Sequence, residues 1–234
     1  MDISSTKYIQ PRPLSNFNRI SFLISINGEL PSKTPKNLIP LEAHKLPSRM
    51  VTLLQIHSPV VHTITHEADI NRINFLPGDG LITTIPDLAL VVRVADCAPV
   101  LIFEPSGKVI ALLHAGWRGI MRGILETAVE KLVLMGYAPK NLVSYIGPAI
   151  GEENYEVGDE FLNWFPRSAK VINGKVHFDI KGEIKLRLQK LGIKIAGTFP
   201  YSTYSTPWLS SYRRDGKSCG RTICIAWIKQ DTQK

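Results

Sequence analysis

The chain has 234 residues, of which 44% are hydrophobic and 21% charged, so its composition excludes an intrinsically disordered protein. Three cysteines are a low and odd number, which does not fit a disulfide framework. A chain of this length can bury a core without disulfides. The net charge of +8 fits an anionic partner, either a phosphate-bearing small molecule or nucleic acid, but scattered basic residues without a nucleic-acid-binding motif favour a solvated surface.

The sequence shows no pattern of a signal peptide or of a membrane-spanning segment. Residues 1–14 carry an acid at position 2 and no apolar segment, and the most apolar stretch, residues 88–103, is interrupted by Arg93 and Asp96. We therefore expect no signal peptide, no membrane-spanning helix and a cytoplasmic protein. Four prolines between residues 30 and 48 exclude a long helix and predict an irregular approach to the first core strand.

Short apolar runs predict ten strands, several apolar enough to be covered on both faces. They span residues 20–25, 51–56, 89–94, 100–103, 109–114, 142–147, 169–172, 175–178, 195–199 and 221–227. Apolar residues recurring on one face predict helices over residues 118–135 and 180–191, and a short helix is expected over 159–165. Many strands with few helices indicate a mixed α/β or α+β layered fold in a single domain.

Two histidines and a cysteine stand at the ends of apolar runs. His57 follows VTLLQI, Cys97 follows LVVRVAD, and His114 follows VIALL. If the three strands pair in one sheet, their ends bring these side chains within reach of one metal ion. One thiolate and two imidazoles suit zinc with an open fourth position, as in catalytic sites, although copper accepts the same ligands. Cys219 and Cys224 have no such histidine partners, so we expect both to be structural.

Two other interpretations of the three residues stay open. Cys97 is a candidate nucleophile with His57 or His114 as its base. Each residue, taken alone, is more often part of a core or of a surface. Their neighbours favour a function, because Cys97 follows Asp96 and because His114 opens the segment HAGWRG, in which two glycines precede a predicted helix.

Three further residues are candidates for binding substrate and phosphate. Arg118 begins a predicted helix, where a guanidinium and the free N–H groups can hold an anion together, although stacking on Trp117 is the alternative. Tyr155 lies in a glycine-rich segment and can stack on a ring. Arg213 and Arg214 precede an Asp-Gly turn and form either a second basic wall of the site or a solvated hairpin.

A series of motifs occurs in order between residues 50 and 228. They are QIHS (55–58), GDGLIT (78–83), ADCAPVLI (95–102), HAGWRG (114–119), GPAIG (147–151), YEVG (155–158) and SYRRDG with GR (211–221). Together they resemble the laccase-domain family, also called YfiH-like or multicopper polyphenol oxidoreductase-type proteins. The resemblance implies a layered α-β-β-α sandwich, with residues 1–234 as one domain and residues 1–50 as its less typical segment.

The resemblance also implies a zinc site at His57, Cys97 and His114. It implies a cytoplasmic enzyme whose partners are purine nucleosides and phosphate, acting by phosphorolysis of adenosine, inosine, guanosine or methylthioadenosine and by deamination of adenosine. The alternative activity is peptidoglycan editing by amide hydrolysis of a serine-containing UDP-muramic acid precursor. Copper-dependent polyphenol oxidation is the weakest of the three, because six histidines are too few for a multicopper cluster.

The chain departs from the family pattern in three places. LISINGELPSK stands where a glycine-rich N-terminal segment is expected, Glu152, Glu153 and Asn154 stand where the family often has a cysteine pair, and PYSTYS replaces a Cys-Thr segment. None of these changes removes an expected zinc ligand. They bear on substrate preference, because these loops are expected to wall the pocket.

Overall fold

A computed structural model describes residues 7–28, 36–41 and 46–230. Within these residues fifteen strands form three sheets. The strands are β1 (Lys7–Pro11), β2 (Ile20–Ile26), β3 (Leu38–Leu41), β4 (Arg49–Thr52), β5 (Val61–Ile64), β6 (Gly80–Thr83), β7 (Leu88–Val94), β8 (Ala98–Phe103), β9 (Ile110–Ala115), β10 (Val143–Ile146), β11 (Glu156–Val157), β12 (Ala169–Ile172), β13 (Lys175–Phe178), β14 (Lys194–Thr198) and β15 (Thr222–Ile228).

The same residues form six α-helices, most of them short. They are α1 (Glu67–Ile73), α2 (Trp117–Met121), α3 (Ile124–Leu134), α4 (Glu160–Trp164), α5 (Ile180–Lys190) and α6 (Tyr212–Asp215). Among the described residues, none of the helices is both long and apolar enough to cross a membrane.

Two six-stranded mixed sheets make up most of the fold. The first has the order β3-β1-β2-β15-β7-β4, and the second has the order β14-β10-β8-β9-β6-β5. In the second sheet the hairpin of β8 and β9 is antiparallel, whereas β5 pairs with β6 and β10 pairs with β14 in parallel. A small antiparallel sheet, β11-β13-β12, lies apart from both.

Alternating side chains account for the stacking of the two large sheets. Phe22 of the first sheet and Leu101 and Phe103 of the second sheet belong to one buried cluster, which lies between the sheets. Ile102, between Leu101 and Phe103 along β8, faces the opposite way and belongs to a second buried cluster. Because successive strand residues point to opposite faces, an apolar strand such as β8 supplies two cores at once.

The second buried cluster joins the second sheet to α3 and α5. Leu125 and Leu132 of α3 and Ile184 and Leu188 of α5 are fully buried against it. Burying each such side chain contributes about 1.5–3 kcal/mol relative to an exposed position. The layered, mixed α/β fold that the sequence predicts is therefore confirmed.

The structure contains the predicted strands, some with different ends, but it divides one predicted helix into two. The predicted strand over residues 51–56 ends at Thr52, because the next residues turn away to pair with the segment around residue 77. The predicted helix over residues 118–135 is wrong as one helix. It consists of α2 and α3, separated at Gly123, whose φ of +85° lies in the left-handed region and interrupts the helical hydrogen bonds.

Several elements were not predicted from the sequence. They include β3, which lies inside the proline-rich stretch expected to be irregular, and the elements β1, β5, β6, β11, α1 and α6. Most are short or lie beside turns, where apolar periodicity has too few residues to show. Part of the proline-rich stretch, residues 30–35 and 42–45, lies outside the described residues.

Candidate metal centre

The three predicted ligands come together, but not because their strands share one sheet: β4 and β7, which precede His57 and Cys97, belong to the first sheet, and β9, which carries His114, belongs to the second. His57 lies in the loop after β4, Cys97 in the turn between β7 and β8, and His114 near the end of β9. Their ligand atoms all lie within 4.8 Å of one another, and Nε2 of His57 is 3.9 Å from Sγ of Cys97. Among the described residues, this is the only group of three or more side chains suited to hold a metal ion.

Strand register explains why Cys97 and His114 are neighbours. In the antiparallel hairpin of β8 and β9, Pro99 pairs with His114 and Ala98 pairs with Ala115. The residue that precedes β8 therefore lies opposite the end of β9. The predicted hairpin places the thiol and the imidazole at the same sheet edge, although the two are seventeen positions apart in the sequence.

A buried carboxylate that the sequence did not single out connects the two histidines. Asp79, just before β6, has no exposed surface, and its Oδ1 accepts a hydrogen bond from Nδ1 of His114 at 2.8 Å. It also accepts hydrogen bonds from the backbone N–H groups of Ile56, His57 and Ser58 and from the Ser58 hydroxyl. The available signal was the motif GDG, in which glycines flank Asp79.

These contacts shift the pKa values of three groups. Burial alone raises the pKa of Asp79, but hydrogen bonds from His114 and Ser58 outweigh it and lower the pKa to about 2. Burial likewise raises the pKa of Cys97, and the charge and hydrogen bonds of His114, with a smaller effect of His57, lower it to about 6. Burial lowers the pKa of His114, but the Cys97 thiolate and Asp79 raise it to about 9. A metal ion that binds here therefore releases a proton from His114.

The donor atoms and the space around them fit a zinc or copper ion. A thiolate and two imidazoles are the ligands that these metals prefer, and Asp79 holds the second nitrogen of one imidazole as is usual for metal-bound histidines. Gly116 has no side chain, which leaves space for the three ligand side chains. A Cβ on Gly116 would lie 2.7 Å from Sγ of Cys97 and 3.1 Å from Cδ2 of His57, closer than side chains tolerate.

A cavity of about 690 Å³ opens beside the cluster. Its wall carries four arginines, Arg93, Arg118, Arg213 and Arg221, against two carboxylates, those of Asp96 and Glu156. Aromatic side chains form another part of the wall: Trp117, Tyr155, Phe161 and Tyr212. The cavity therefore favours a negatively charged ligand that also has an aromatic or apolar part.

The predicted binding residues Arg118, Tyr155 and Arg213 all line this cavity. The guanidinium of Arg118 lies 4.2 Å from the centre of the Trp117 ring, so the stacking considered from the sequence is present, and it leaves the side chain at the cavity wall. The guanidinium of Arg213 lies 5.5 Å from the centre of the Tyr155 ring. Tyr155 is largely buried, which raises the pKa of its hydroxyl.

Arg213 and Arg214, the predicted basic pair, have different roles in the structure. Arg214 does not line the cavity but donates hydrogen bonds to the backbone carbonyls of Thr203, Tyr204, Thr206 and Leu209. It fixes the loop that precedes α6. Arg93 and Arg221, which the sequence did not single out, line the cavity instead. Arg93 lies outside the quoted motifs, and Arg221 belongs to the GR motif but received no role, because both residues reach the site only in the folded chain.

The two other cysteines lie away from the cluster, as expected. Cys224 is fully buried in β15, and burial raises the pKa of its thiol above the usual range. Cys219 is half-buried and accepts a hydrogen bond from the guanidinium of Arg221.

Fold and site together define a layered α/β protein with a candidate metal centre built on a sheet edge. Residues 27–229 match the family described as multi-copper polyphenol oxidoreductase laccase, and the chain belongs to this family. The resemblance seen in the motifs is therefore confirmed.

Relatives with curated names are similar over most of the chain. A protein of Rickettsia prowazekii named as a purine nucleoside phosphorylase is 34% identical over 169 residues, which is 68% of this chain and 67% of that protein. A protein of Corynebacterium glutamicum with the same kind of name is 33% identical over 190 residues, covering 79% of this chain and 76% of that protein.

Solved structures share the fold. The YfiH protein of Bacillus licheniformis is 22% identical and superimposes with a TM-score of 0.78, covering 97% of this chain and 98% of that chain. A Neisseria meningitidis protein is 26% identical with a TM-score of 0.71, covering 91% of this chain and 95% of that chain.

Proposed function

We propose that this protein is a zinc-binding purine nucleoside phosphorylase that acts on adenosine, inosine, guanosine or methylthioadenosine, and that it also deaminates adenosine. The relatives named as purine nucleoside phosphorylases give the reaction class. The observation that carries the proposal is the cavity in which a His–Cys–His cluster, four arginines and several aromatic rings share one wall. The arginines of this wall suit a phosphate, and its aromatic rings suit a purine.

Arg118 is the proposed phosphate ligand. Its guanidinium lies over the ring of Trp117, 4.2 Å from the ring centre, and no acceptor among the described residues takes a hydrogen bond from it. Its N–H donors are therefore open towards the cavity, in the planar geometry that matches two oxygens of a phosphate. Arg213 adds a second positive charge, although one of its N–H groups is already bound to the Glu156 carbonyl at 3.0 Å.

Tyr155 is the proposed ligand of the purine. Its ring contacts the guanidinium of Arg213 and, at a tilt of 53°, the ring of Phe178, whose centre lies 5.7 Å away. Phe161 and Trp117 continue the aromatic surface, with ring centres 5.1 Å apart. A purine has a flat, polarisable face, and stacking on such a surface contributes about 1–3 kcal/mol per base.

In phosphorolysis an oxygen of phosphate forms a bond to C1′ of the ribose while the bond from C1′ to N9 of the purine breaks. The electron pair of the broken bond leaves with the base, which takes up a proton. The arginines neutralise part of the phosphate charge and hold the attacking oxygen in place, which is where most of the rate gain in such a transfer arises. A zinc ion held by His57, Cys97 and His114 would supply a Lewis acid at the cavity wall.

The metal cluster argues against a multicopper oxidase. Such an enzyme needs several copper sites, and the described residues form a single group of three metal-binding side chains. Within that part of the chain, a second cluster of histidines is absent. We therefore propose zinc as the native metal, with copper as the alternative that a metal analysis distinguishes.

The peptidoglycan-editing activity is the second candidate, and the number of arginines favours it. A nucleoside diphosphate sugar carries two adjacent phosphates, and the four arginines of the cavity offer more positive charge than one phosphate needs. This reaction breaks an amide bond with water, so it does not consume phosphate. The requirement for phosphate therefore separates the two candidates.

The test measures turnover of adenosine, inosine, guanosine and methylthioadenosine with and without phosphate, together with the zinc content of the protein. We expect phosphate-dependent release of the free base with ribose 1-phosphate, or with 5-methylthioribose 1-phosphate from methylthioadenosine, and one zinc per chain. Cys97→Ala is expected to lose both zinc and activity, whereas the matched variant Cys219→Ala keeps both. Turnover of a serine-containing muramic acid precursor without phosphate, and none of a nucleoside, would favour the second candidate.

A further inference from the structure

We propose that Asp79 is the positioning residue of the metal centre, and that its one carboxylate sets both the backbone conformation that aims His57 and the ring tautomer of His114. This inference rests on the metal site of the proposed function and not on its substrate. The carboxylate is fully buried, yet it accepts five hydrogen bonds from the residues around two of the three ligands.

The first half of the argument concerns His57. Its φ of +57° lies in the left-handed region, which costs about 1–2 kcal/mol for a residue with a side chain. Three successive N–H groups, those of Ile56, His57 and Ser58, converge on the Asp79 carboxylate at 3.2, 3.0 and 2.6 Å. Consecutive N–H groups that point into one concavity form an anion site. The carboxylate therefore stabilises the strained backbone that directs the His57 ring at Cys97.

The second half concerns His114. A carboxylate can only accept a hydrogen bond, so the contact of 2.8 Å between Oδ1 of Asp79 and Nδ1 of His114 places a proton on Nδ1. Nε2, on the other side of the ring, faces the cluster and is then the nitrogen that gives up its proton when a metal ion binds. The His114 backbone N–H also donates to the Asp79 carbonyl at 2.7 Å, so ring and backbone are anchored to the same residue.

Both halves of the argument depend on the same side chain. Because both of its oxygens must accept hydrogen bonds, an amide cannot replace the carboxylate. Oδ2 serves Ile56 and Ser58, and Oδ1 serves His57 and His114. An asparagine keeps one oxygen, which the three donors at Oδ2 would capture. Its NH₂ group would then face Nδ1 of His114 and donate to it. The ring would adopt the opposite tautomer, with its proton on Nε2, the nitrogen needed for the metal.

The experiment compares wild type with Asp79→Asn and with Ser58→Ala. Ser58→Ala removes one hydroxyl donor to Oδ2 and leaves the bond to His114 intact, so it is the matched control. Zinc affinity is measured by competition with a chelator, and ¹⁵N chemical shifts of the histidine rings report which nitrogen of His114 carries the proton. The tautomer measurement is first made on zinc-loaded wild type, so part of the test does not depend on a variant that folds.

We expect Asp79→Asn to bind zinc about 10- to 100-fold more weakly, as changes behind a metal ligand usually do, and its metal-free form to show His114 without a proton on Nδ1, whereas metal-free wild type keeps that proton. Ser58→Ala is expected to stay within a few-fold of wild type with an unchanged tautomer. In zinc-loaded wild type, Nδ1 of His114 should carry the proton. A wild-type His114 bound to zinc through Nδ1, or an Asp79→Asn protein with wild-type zinc affinity, would overturn the proposal. Failure of wild type to bind zinc at all would instead overturn the proposed function.

Discussion

The carboxylate of Asp96 accepts a hydrogen bond of 2.7 Å from the backbone N–H of Arg213, a residue 117 positions further along the chain. Its other oxygen accepts a bond of 2.6 Å from the hydroxyl of Thr203. Asp96 adjoins Cys97 and has a φ of +86°, so the residue before the candidate ligand is held in a strained conformation. Asp96 therefore connects the turn that carries Cys97 to Arg213, which lines the cavity.

Asp96→Asn tests this connection. Asparagine tolerates the left-handed conformation, so the backbone is preserved, but its NH₂ group must face one of the two donors. Losing one hydrogen bond to a charged acceptor lowers the free energy of unfolding by about 1.5–3 kcal/mol, measured by urea denaturation. We also expect a raised KM for phosphate with unchanged zinc content. An unfolding free energy and a KM equal to those of wild type would show that the connection is dispensable.

Arg213 and Arg214 provide a matched pair of neighbouring residues of the same type. Arg214→Ala leaves four backbone carbonyls without their donor and is expected to lower the free energy of unfolding by about 3 kcal/mol. Arg213→Ala removes one hydrogen bond to a carbonyl, and its unfolding free energy should stay within about 1 kcal/mol of wild type. Its KM for phosphate should rise, whereas that of folded Arg214→Ala should not. The reverse pattern would contradict the assignment of Arg213 to the cavity.

Gly116→Ala is expected to disrupt the metal centre without replacing any ligand. Its Cβ would meet Sγ of Cys97 at 2.7 Å, so the thiol must move, and overpacking of this kind costs about 1–3 kcal/mol. Zinc content measured after dialysis should fall well below one per chain. Gly220→Ala is the control, since its nearest contact, Oγ of Ser210, would lie at an ordinary 3.5 Å. Full zinc occupancy in Gly116→Ala would mean that the cluster has more room than the structure indicates.

The cluster of His57, Cys97 and His114 could be predicted from the sequence because each residue ends an apolar run. Strand ends meet at sheet edges, and the antiparallel register of β8 and β9 then brings the residue before one strand to the end of the other. The apolar character of β7 to β9 is strong enough to mark these strands without knowledge of their partners. His57 reaches the cluster differently, because β4 ends at Thr52 in the first sheet and the loop that follows carries His57 to the other two ligands. Its apolar run marked the residue, but a shared sheet did not place it.

Asp79 could not be recognised in the same way. Its contacts lie 21 to 23 positions away at one loop and 35 positions away at His114. The glycines that flank Asp79 in GDG mark a tight turn, but they do not show whether its carboxylate accepts hydrogen bonds from distant N–H groups or lies in a solvated turn. The same holds for Arg213 and Arg214, whose different roles depend on the direction in which the four-residue helix α6 presents each side chain.

Zinc binding should stabilise the folded protein in proportion to free zinc. An ion that binds only the native state adds about 4 kcal/mol to the free energy of unfolding when its free concentration is 1,000 times the dissociation constant. We therefore expect chelation to lower the Tm of wild type and zinc to restore it. Cys97→Ala should show neither response, because two imidazoles alone bind zinc weakly. Cys219→Ala, which alters a half-buried thiol outside the cluster, should respond like wild type. A Tm of wild type that is insensitive to chelator and to added zinc would mean that the cluster holds no metal in the folded protein.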